Sequence, residues 1–140
     1  VSEPPPFEVQ RREMVEAQLR ARGIRDPRIL DAMGRVPREE FVPHDAEHLA
    51  YADHPVPVGG GQTISQPYVV ALTLEAAKLG SEDVVLDVGT GTGYAAAVAA
   101  LVVKRVWSIE RDPALAAAAA ERLRRLGYAN VRGAVGDGSR

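Results

Sequence analysis

The chain has 140 residues, with 17 lysines and arginines against 19 aspartates and glutamates, and no cysteine. This length suits one domain with a real core and is short for two. A net charge of −2 with no basic tract gives no footing for a nucleic-acid or anionic-membrane partner, and a chain without cysteine has no disulfide framework, thiolate zinc site or cysteine nucleophile.

Pro4, Pro5 and Pro6 cannot enter a helix, so residues 1–7 are expected to be a disordered or extended lead-in, followed by a single domain over residues 8–140. Val1 to Pro6 lacks the apolar core of a secretory signal. No apolar run reaches membrane-spanning length, because Lys104, Arg105, Glu121 and Arg122 interrupt the alanine-rich segments. A soluble cytoplasmic protein is expected. Glu8 to Arg22 reads as an amphipathic helix with Met14, Val15, Leu19 and Ala21 available for packing, stopped by Gly23. Asp26-Pro27 pairs an N-cap with proline at the first helical position and opens a second helix to about Met33. A short helical turn is expected near Pro37. His44, His48 and His54 lie close together, and the first two share a helical face at i,i+4 spacing. They lack the carboxylate context of a metal site and read as surface residues, with no metal ligand expected.

Between Tyr51 and Gln66 the character changes. Pro55-Val56-Pro57-Val58 is extended and Gly59-Gly60-Gly61 is a flexible or positive-φ hinge, which makes this the candidate functional loop. Ser65 reads as the N-cap of a helix over Tyr68–Leu79, with Val69, Leu72 and Ala76 on one side and Gly80 at its end. An α/β pattern follows: strand Val84–Val88, helix Tyr94 to about Leu101, strand Val106–Glu110, helix Pro113–Leu126 behind N-cap Asp112, and strand Val131–Val135. No internal repeat is present.

The chemistry concentrates where the first of these strands breaks into glycine, Asp87-Val88-Gly89-Thr90-Gly91-Thr92-Gly93-Tyr94. Strand, tight turn and helix form a ligand-holding unit, and Gly89, Gly91 and Gly93 admit a sharp turn and a close backbone approach. Glu110, ending the next strand, can accept hydrogen bonds from two vicinal ribose hydroxyls. A dinucleotide fingerprint would place its third glycine one residue later, where Tyr94 stands. Asp87 would repel a phosphate and can hold the α-ammonium of an amino acid. Together these residues describe a nucleoside pocket. A turn that needs glycine for geometry alone leaves both acids unexplained. Trp107 and Tyr94 read as packing residues before they read as stacking partners of a ligand.

The D-x-G-x-G-x-G pattern resembles the first motif of class I S-adenosylmethionine-dependent methyltransferases. Gly61-Gln62-Thr63-Ile64-Ser65-Gln66-Pro67-Tyr68-Val69-Val70-Ala71 resembles, more specifically, the signature of protein-L-isoaspartate O-methyltransferases. Val36-Pro37-Arg38-Glu39-Glu40-Phe41-Val42-Pro43 and Tyr51-Ala52-Asp53 match that family in order and spacing, and the resemblance runs from about Val9 to the end. It implies a Rossmann-like α/β fold: an N-terminal helical layer plus the first three parallel strands of a doubly wound sheet, in a chain truncated before the family's C-terminal strands.

The activity implied is methylation, with S-adenosyl-L-methionine as cofactor, of the α-carboxylate of L-isoaspartyl residues in damaged proteins or peptides. The ester then cyclises to a succinimide, whose hydrolysis returns part of the material to aspartate. By the same resemblance Ser65 is the active-site residue, expected to orient the substrate carboxylate, with Thr63 beside it and Gln62 and Ile64 lining the pocket. The cofactor set implied is Asp87, Gly89, Thr90, Gly91 and Gly93 around the methionine moiety, Glu110 on the ribose, and Asp137 with Gly138 at the adenine. For Ser65 the alternative is a helix cap, and for Asp137 a turn aspartate between glycines. Two other functions stay open: a carboxyl methyltransferase of a peptide natural product, and a truncated, non-catalytic S-adenosylmethionine-binding module.

Overall fold

A computed structural model describes residues 3–139. Helix α1 (Phe7–Glu13) passes into a π-helical stretch, Met14–Leu19, and then a 3-10 turn, Arg20–Arg22. This departs from the uniform amphipathic helix expected over Glu8–Arg22. The i+5 repeat of a π turn brings Leu19 beneath Met14, so that Met14, Val15 and Leu19 are all buried, whereas Ala21 stays exposed. Gly23 ends the segment with φ +99°, as expected of a C′ glycine, and the Ile24 amide donates back to the Leu19 carbonyl at 3.1 Å.

Helix α2 (Pro27–Arg35) starts as the sequence predicts, with the Asp26 carboxylate accepting from the Arg28 amide at 2.9 Å, and buries Ile29, Leu30, Ala32 and Met33. Two 3-10 turns follow, Arg38–Phe41 and His44–Leu49. The extended segment is then one strand of a hairpin: β1 (Val56–Gly59) pairs antiparallel with β2 (Gln62–Ile64), Val56 opposite Ile64, both buried. Gly59, Gly60 and Gly61 all take positive φ and make the turn. The strands escape sequence reading because they are only four and three residues long, and Pro57 within β1 argues against a ladder unless the strand is an edge.

Helix α3 (Pro67–Ala76) starts one residue before the expected Tyr68 and stops three before Leu79, with Lys78 in the left-handed region at φ +53°. Gln66, not Ser65, directly precedes it, and the Gln66 carbonyl accepts from the Val70 amide at 3.2 Å, so the N-cap reading of Ser65 is corrected. The buried face is also not the expected one. Pro67, Val70 and Ala71 are buried, while Val69, Leu72 and Ala76 are exposed. The helix is apolar around most of its circumference, so periodicity does not single out a face.

The described residues form two compact units that divide between Ala76 and Ala77; the elements so far belong to the first. The second holds a parallel sheet of order β3-β4-β5, with β3 Val84–Val88, β4 Arg105–Glu110 and β5 Val131–Val135. Helices α4 (Tyr94–Ala100) and α5 (Pro113–Arg125) make the crossovers, and the Asp112 carboxylate caps α5 through the Ala114 and Leu115 amides. The boundaries fall within one residue of those expected. Val106 and Ser108 face the helices and are buried, and so are Ala96 to Ala100 of α4. On the opposite face Val84, Leu86, Val88 and Trp107 are exposed, so Trp107 does not pack as expected, whereas Tyr94 does. Among the described residues no helix is long and apolar enough to cross a membrane.

Candidate functional site

The sequence-predicted site residues fall into the two units, each with its own geometry. In the second unit the C-terminal ends of the three strands build one cluster. Past the end of β3, the Gly89 and Thr90 amides continue the ladder by donating to the Ile109 carbonyl at 2.8 and 3.2 Å, while the Gly136 amide donates to the Glu110 carbonyl at 2.9 Å. These bonds draw the glycine turn, Glu110 and the Gly136–Gly138 segment together at the sheet end where ligands of open α/β sheets bind.

Gly89, Gly91 and Gly93 all have positive φ. At Gly93, which precedes α4 with φ +95°, an added Cβ would lie 3.2 Å from Leu123 Cδ1, so space and backbone both demand glycine. At Gly138 the demand is closeness alone, since a Cβ there would stand 2.5 Å from Val88 Cγ1.

Register places Asp87 opposite Ser108, and the Ser108 hydroxyl donates to Asp87 Oδ2 at 2.7 Å. The Thr90 and Ser108 hydroxyl oxygens are 2.6 Å apart. Asp87 is half-buried, and its carboxyl is held above the usual aspartate range by burial, with the Ser108 hydrogen bond opposing and the Glu110 charge adding to that rise. Its Oδ1 has no hydrogen-bond partner among the described residues, which suits a ligand donor. Glu110 is tied the other way. Oε2 accepts from the Asp112 amide and Oε1 from the Gly91 amide, both at 3.0 Å, and these bonds hold its carboxyl below the usual range. Each oxygen keeps a second lone pair for a ligand hydroxyl. Asp137 is exposed, and its Oδ1 accepts from the Ser139 hydroxyl at 2.7 Å and the Ser139 amide at 2.9 Å, bonds that depress its carboxyl.

In the first unit, Gln62, Thr63 and Ser65 are exposed on and just after β2, while Ile64 is buried and offers only its backbone. The Ser65 hydroxyl has no hydrogen-bond partner among the described residues. Its carbonyl accepts from Arg38 Nη2 at 2.9 Å, and Arg38, with 0% exposure, also donates through Nε to the Ala50 carbonyl at 2.5 Å. The Tyr51 hydroxyl accepts from the Arg38 amide at 3.0 Å and from Arg11 Nε at 2.8 Å, and donates to Glu39, which also pairs with Arg11. One residue on, Gln66 Nε2 donates to Asp53 Oδ1 at 2.8 Å, and Asp53 is paired with Arg22.

Sequence reading singled out none of Ser108, Arg38 or Asp53 as site residues. Ser108 was within reach: aligning β3 and β4 by their ligand-bearing ends sets it beside Asp87. Arg38 carried no such signal, because an arginine in a short charged segment reads as solvated.

A match to the family described as protein-L-isoaspartate(D-aspartate) O-methyltransferase spans residues 9–140, and so takes in both the Ser65 segment and the glycine turn. The chain belongs to this family. Protein-L-isoaspartate O-methyltransferases from a Synechococcus strain and from an Anaeromyxobacter strain are 57% and 56% identical to it over 95% and 94% of its length. Those matches cover 54% of each relative, so the chain spans about half of their length. A solved protein-L-isoaspartate O-methyltransferase superposes on 91% of the chain with TM-score 0.81 and 33% identity, covering 42% of that protein. A Plasmodium falciparum protein described as a protein-L-isoaspartate O-methyltransferase, solved in complex with S-adenosyl-L-homocysteine, superposes on 89% of the chain and covers 62% of its own, with TM-score 0.72 and 26% identity. The α/β methyltransferase fold expected from the sequence is thus the fold of this family.

Proposed function

We propose that the protein transfers a methyl group from S-adenosyl-L-methionine to the α-carboxylate of L-isoaspartyl residues in damaged proteins or peptides. The observation that carries this reading is that a single family match runs through both the Gln62–Ser65 segment and the Asp87–Glu110 cluster. The cluster suits the cofactor on its own chemistry. Around the glycine turn it offers the Asp87 and Glu110 carboxylates and the Thr90 hydroxyl, which fit an ammonium and a ribose diol better than a pyrophosphate. Asp87 and Thr90 would take the methionine end with Gly89, Gly91 and Gly93, Glu110 the ribose, and Asp137 with Gly138 the adenine. Among relatives of this fold, the S-adenosyl-L-homocysteine complex supports the same cofactor class.

When bound, the cofactor supplies a methyl on a sulfonium. Transfer of that methyl, with an O–CH3 bond made as the S–CH3 bond is broken, would turn carboxylate into neutral ester and sulfonium into neutral thioether without a proton to move. The acceptor is already ionised at neutral pH, so the protein needs no strong base. Its task is to strip water from the carboxylate and align it. An exposed Ser65 hydroxyl with no partner among the described residues, on a segment pinned from both sides, suits that orienting role, with Thr63 and the Gln62 and Ile64 backbone beside it. A cytoplasmic location, and action on proteins or peptides without nucleic acid or membrane, belong to the same reading; the balanced charge, with no basic tract, supports the absence of a nucleic-acid or anionic-membrane partner.

The test is transfer of labelled methyl to a peptide containing L-isoaspartate, with the aspartyl peptide of the same sequence as control. Labelling of the isoaspartyl peptide alone, lost in Ser65→Ala, supports the proposal. Binding of S-adenosylhomocysteine without transfer to either peptide would replace it with a binding module.

A further inference from the structure

We infer that Ser108 is a positioning residue of the cofactor cluster, the middle member of a one-way hydrogen-bond relay from Thr90 through Ser108 to Asp87. The inference rests on the cofactor reading of that cluster. It follows from proton counting. Ser108 is only 1% exposed, so protein groups must satisfy its hydroxyl. That hydroxyl has one hydrogen. An ionised carboxylate only accepts, so the 2.7 Å contact to Asp87 Oδ2 consumes this hydrogen. The 2.6 Å contact to Thr90 then has one solution, with the Thr90 hydroxyl donating to Ser108.

The relay commits both outer groups. Thr90 spends its hydrogen inward and presents lone pairs outward, while Asp87 keeps Oδ1 as an acceptor and has its carboxylate plane fixed through Oδ2. The pair becomes an acceptor-only surface, which selects a ligand arm rich in donors, an ammonium, and rejects one rich in acceptors, such as a phosphate. Without the Ser108 hydroxyl, Thr90 would be free to turn its hydrogen towards the ligand and Asp87 would lose its anchor. Glu110, the other charged group that acts on Asp87, is itself an acceptor and has no hydrogen with which to replace the one Ser108 donates.

The structure also supplies a clean test. Ser108 lines a cavity of about 150 Å³ with Thr90, Ala116, Ala120, Leu123 and Gly133, so an extra methyl has room. Ser108→Thr and Ser108→Val have nearly the same shape and suit a strand; they differ in the hydroxyl. Calorimetric titration of the intact protein would compare S-adenosylhomocysteine, which carries the ammonium arm, with 5′-methylthioadenosine, which lacks it. The expected result is that Ser108→Thr stays within about twofold of wild type for both ligands, while Ser108→Val binds S-adenosylhomocysteine about five- to tenfold more weakly and methylthioadenosine unchanged. A parallel carbon-detected titration of the Asp87 carboxyl should show its pKa rising in Ser108→Val and not in Ser108→Thr. Equal losses for both ligands, no loss, or an unmoved Asp87 would overturn the relay and leave the cofactor reading standing. A folded wild-type protein that binds neither ligand would overturn both.

Discussion

Asp87 and Glu110 are two carboxylates of one cluster driven in opposite directions, and the sign of each shift has a measurable consequence. Burial raises the Asp87 pKa, so ionising it costs folding stability, and that cost develops as pH rises from its ordinary value of 3.8 through its folded value. Backbone donors lower the Glu110 pKa, so it contributes stability that is present above its ordinary 4.5 and is lost as pH falls through the folded value. Asp87→Asn is therefore expected to melt higher than wild type at pH 7 and to lose affinity for S-adenosylhomocysteine, the pattern of a group kept for binding at the expense of stability. Calorimetric melting and titration of the same sample check both halves; a lower melting temperature with unchanged affinity would contradict them. For the wild type, affinity should fall on the acid side at a pH above 3.8, where Asp87 takes up its proton. Glu110→Gln keeps one acceptor oxygen for two amides and should cost about 1 kcal/mol of stability and about tenfold in nucleoside affinity. Both acids stood out in the sequence because a turn explanation left them idle, and the structure brings them to the same end of the sheet. Ser108 did not, because a serine inside a strand carries no periodicity signal and gains meaning only from cross-strand register.

Among the elements, the parallel β-α-β-α-β run was read almost to the residue, because β3 breaks into glycine at Gly89, β4 ends on Glu110, β5 stops before Gly136, and α5 lies between its Asp112 cap and Gly127. The first unit was read less well, for physical reasons that can be named. The π turn over Met14–Leu19 is fixed by which side chains must reach the core, a tertiary demand that local propensity does not encode. The β1–β2 hairpin is too short to show alternation. What holds its exit is Arg38, whose guanidinium bonds the carbonyls of Ala50 and Ser65 from a fully buried position. Arg38→Met should leave the buried Ala50 carbonyl without its donor, release the Ser65 carbonyl, and lower unfolding stability by about 2–4 kcal/mol, with Arg38→Lys between it and wild type because an ammonium cannot span both acceptors in the guanidinium geometry. Denaturant melts give the stabilities, and amide exchange at Gln62–Gln66 reports the site. Exchange there should quicken in Arg38→Met more than at the Ile29–Met33 amides of α2; uniform quickening would mean that Arg38 supports the fold generally and not the Ser65 segment.

For the molecule as a whole, the sheet is covered on one face and bare on the other among the described residues. Leu86 and Trp107, paired across β3 and β4, are 59% and 44% exposed, and Val84 and Val88 extend the same apolar face. β3 also has no strand on its outer side among the described residues, although it is an uninterrupted apolar and β-branched run apart from Asp87. A flat apolar face beside an unpaired edge is the arrangement that recruits other chains. Charge gives little protection, since the net charge is only −2. Residues 1–140 on their own are therefore expected to self-associate, with scattering and sedimentation that grow with concentration, and most strongly near the sequence pI of about 5.9. Leu86→Lys should suppress this while changing unfolding stability by no more than about 0.5 kcal/mol, because the side chain it replaces is already more in water than out of it. Trp107 supplies the optical readout: its emission should shift to the blue as wild type concentrates and stay constant in Leu86→Lys. A wild-type chain that remains monodisperse with invariant emission would show that the bare face is protected by a means other than contact with a second chain, and the aggregation argument would fail with it.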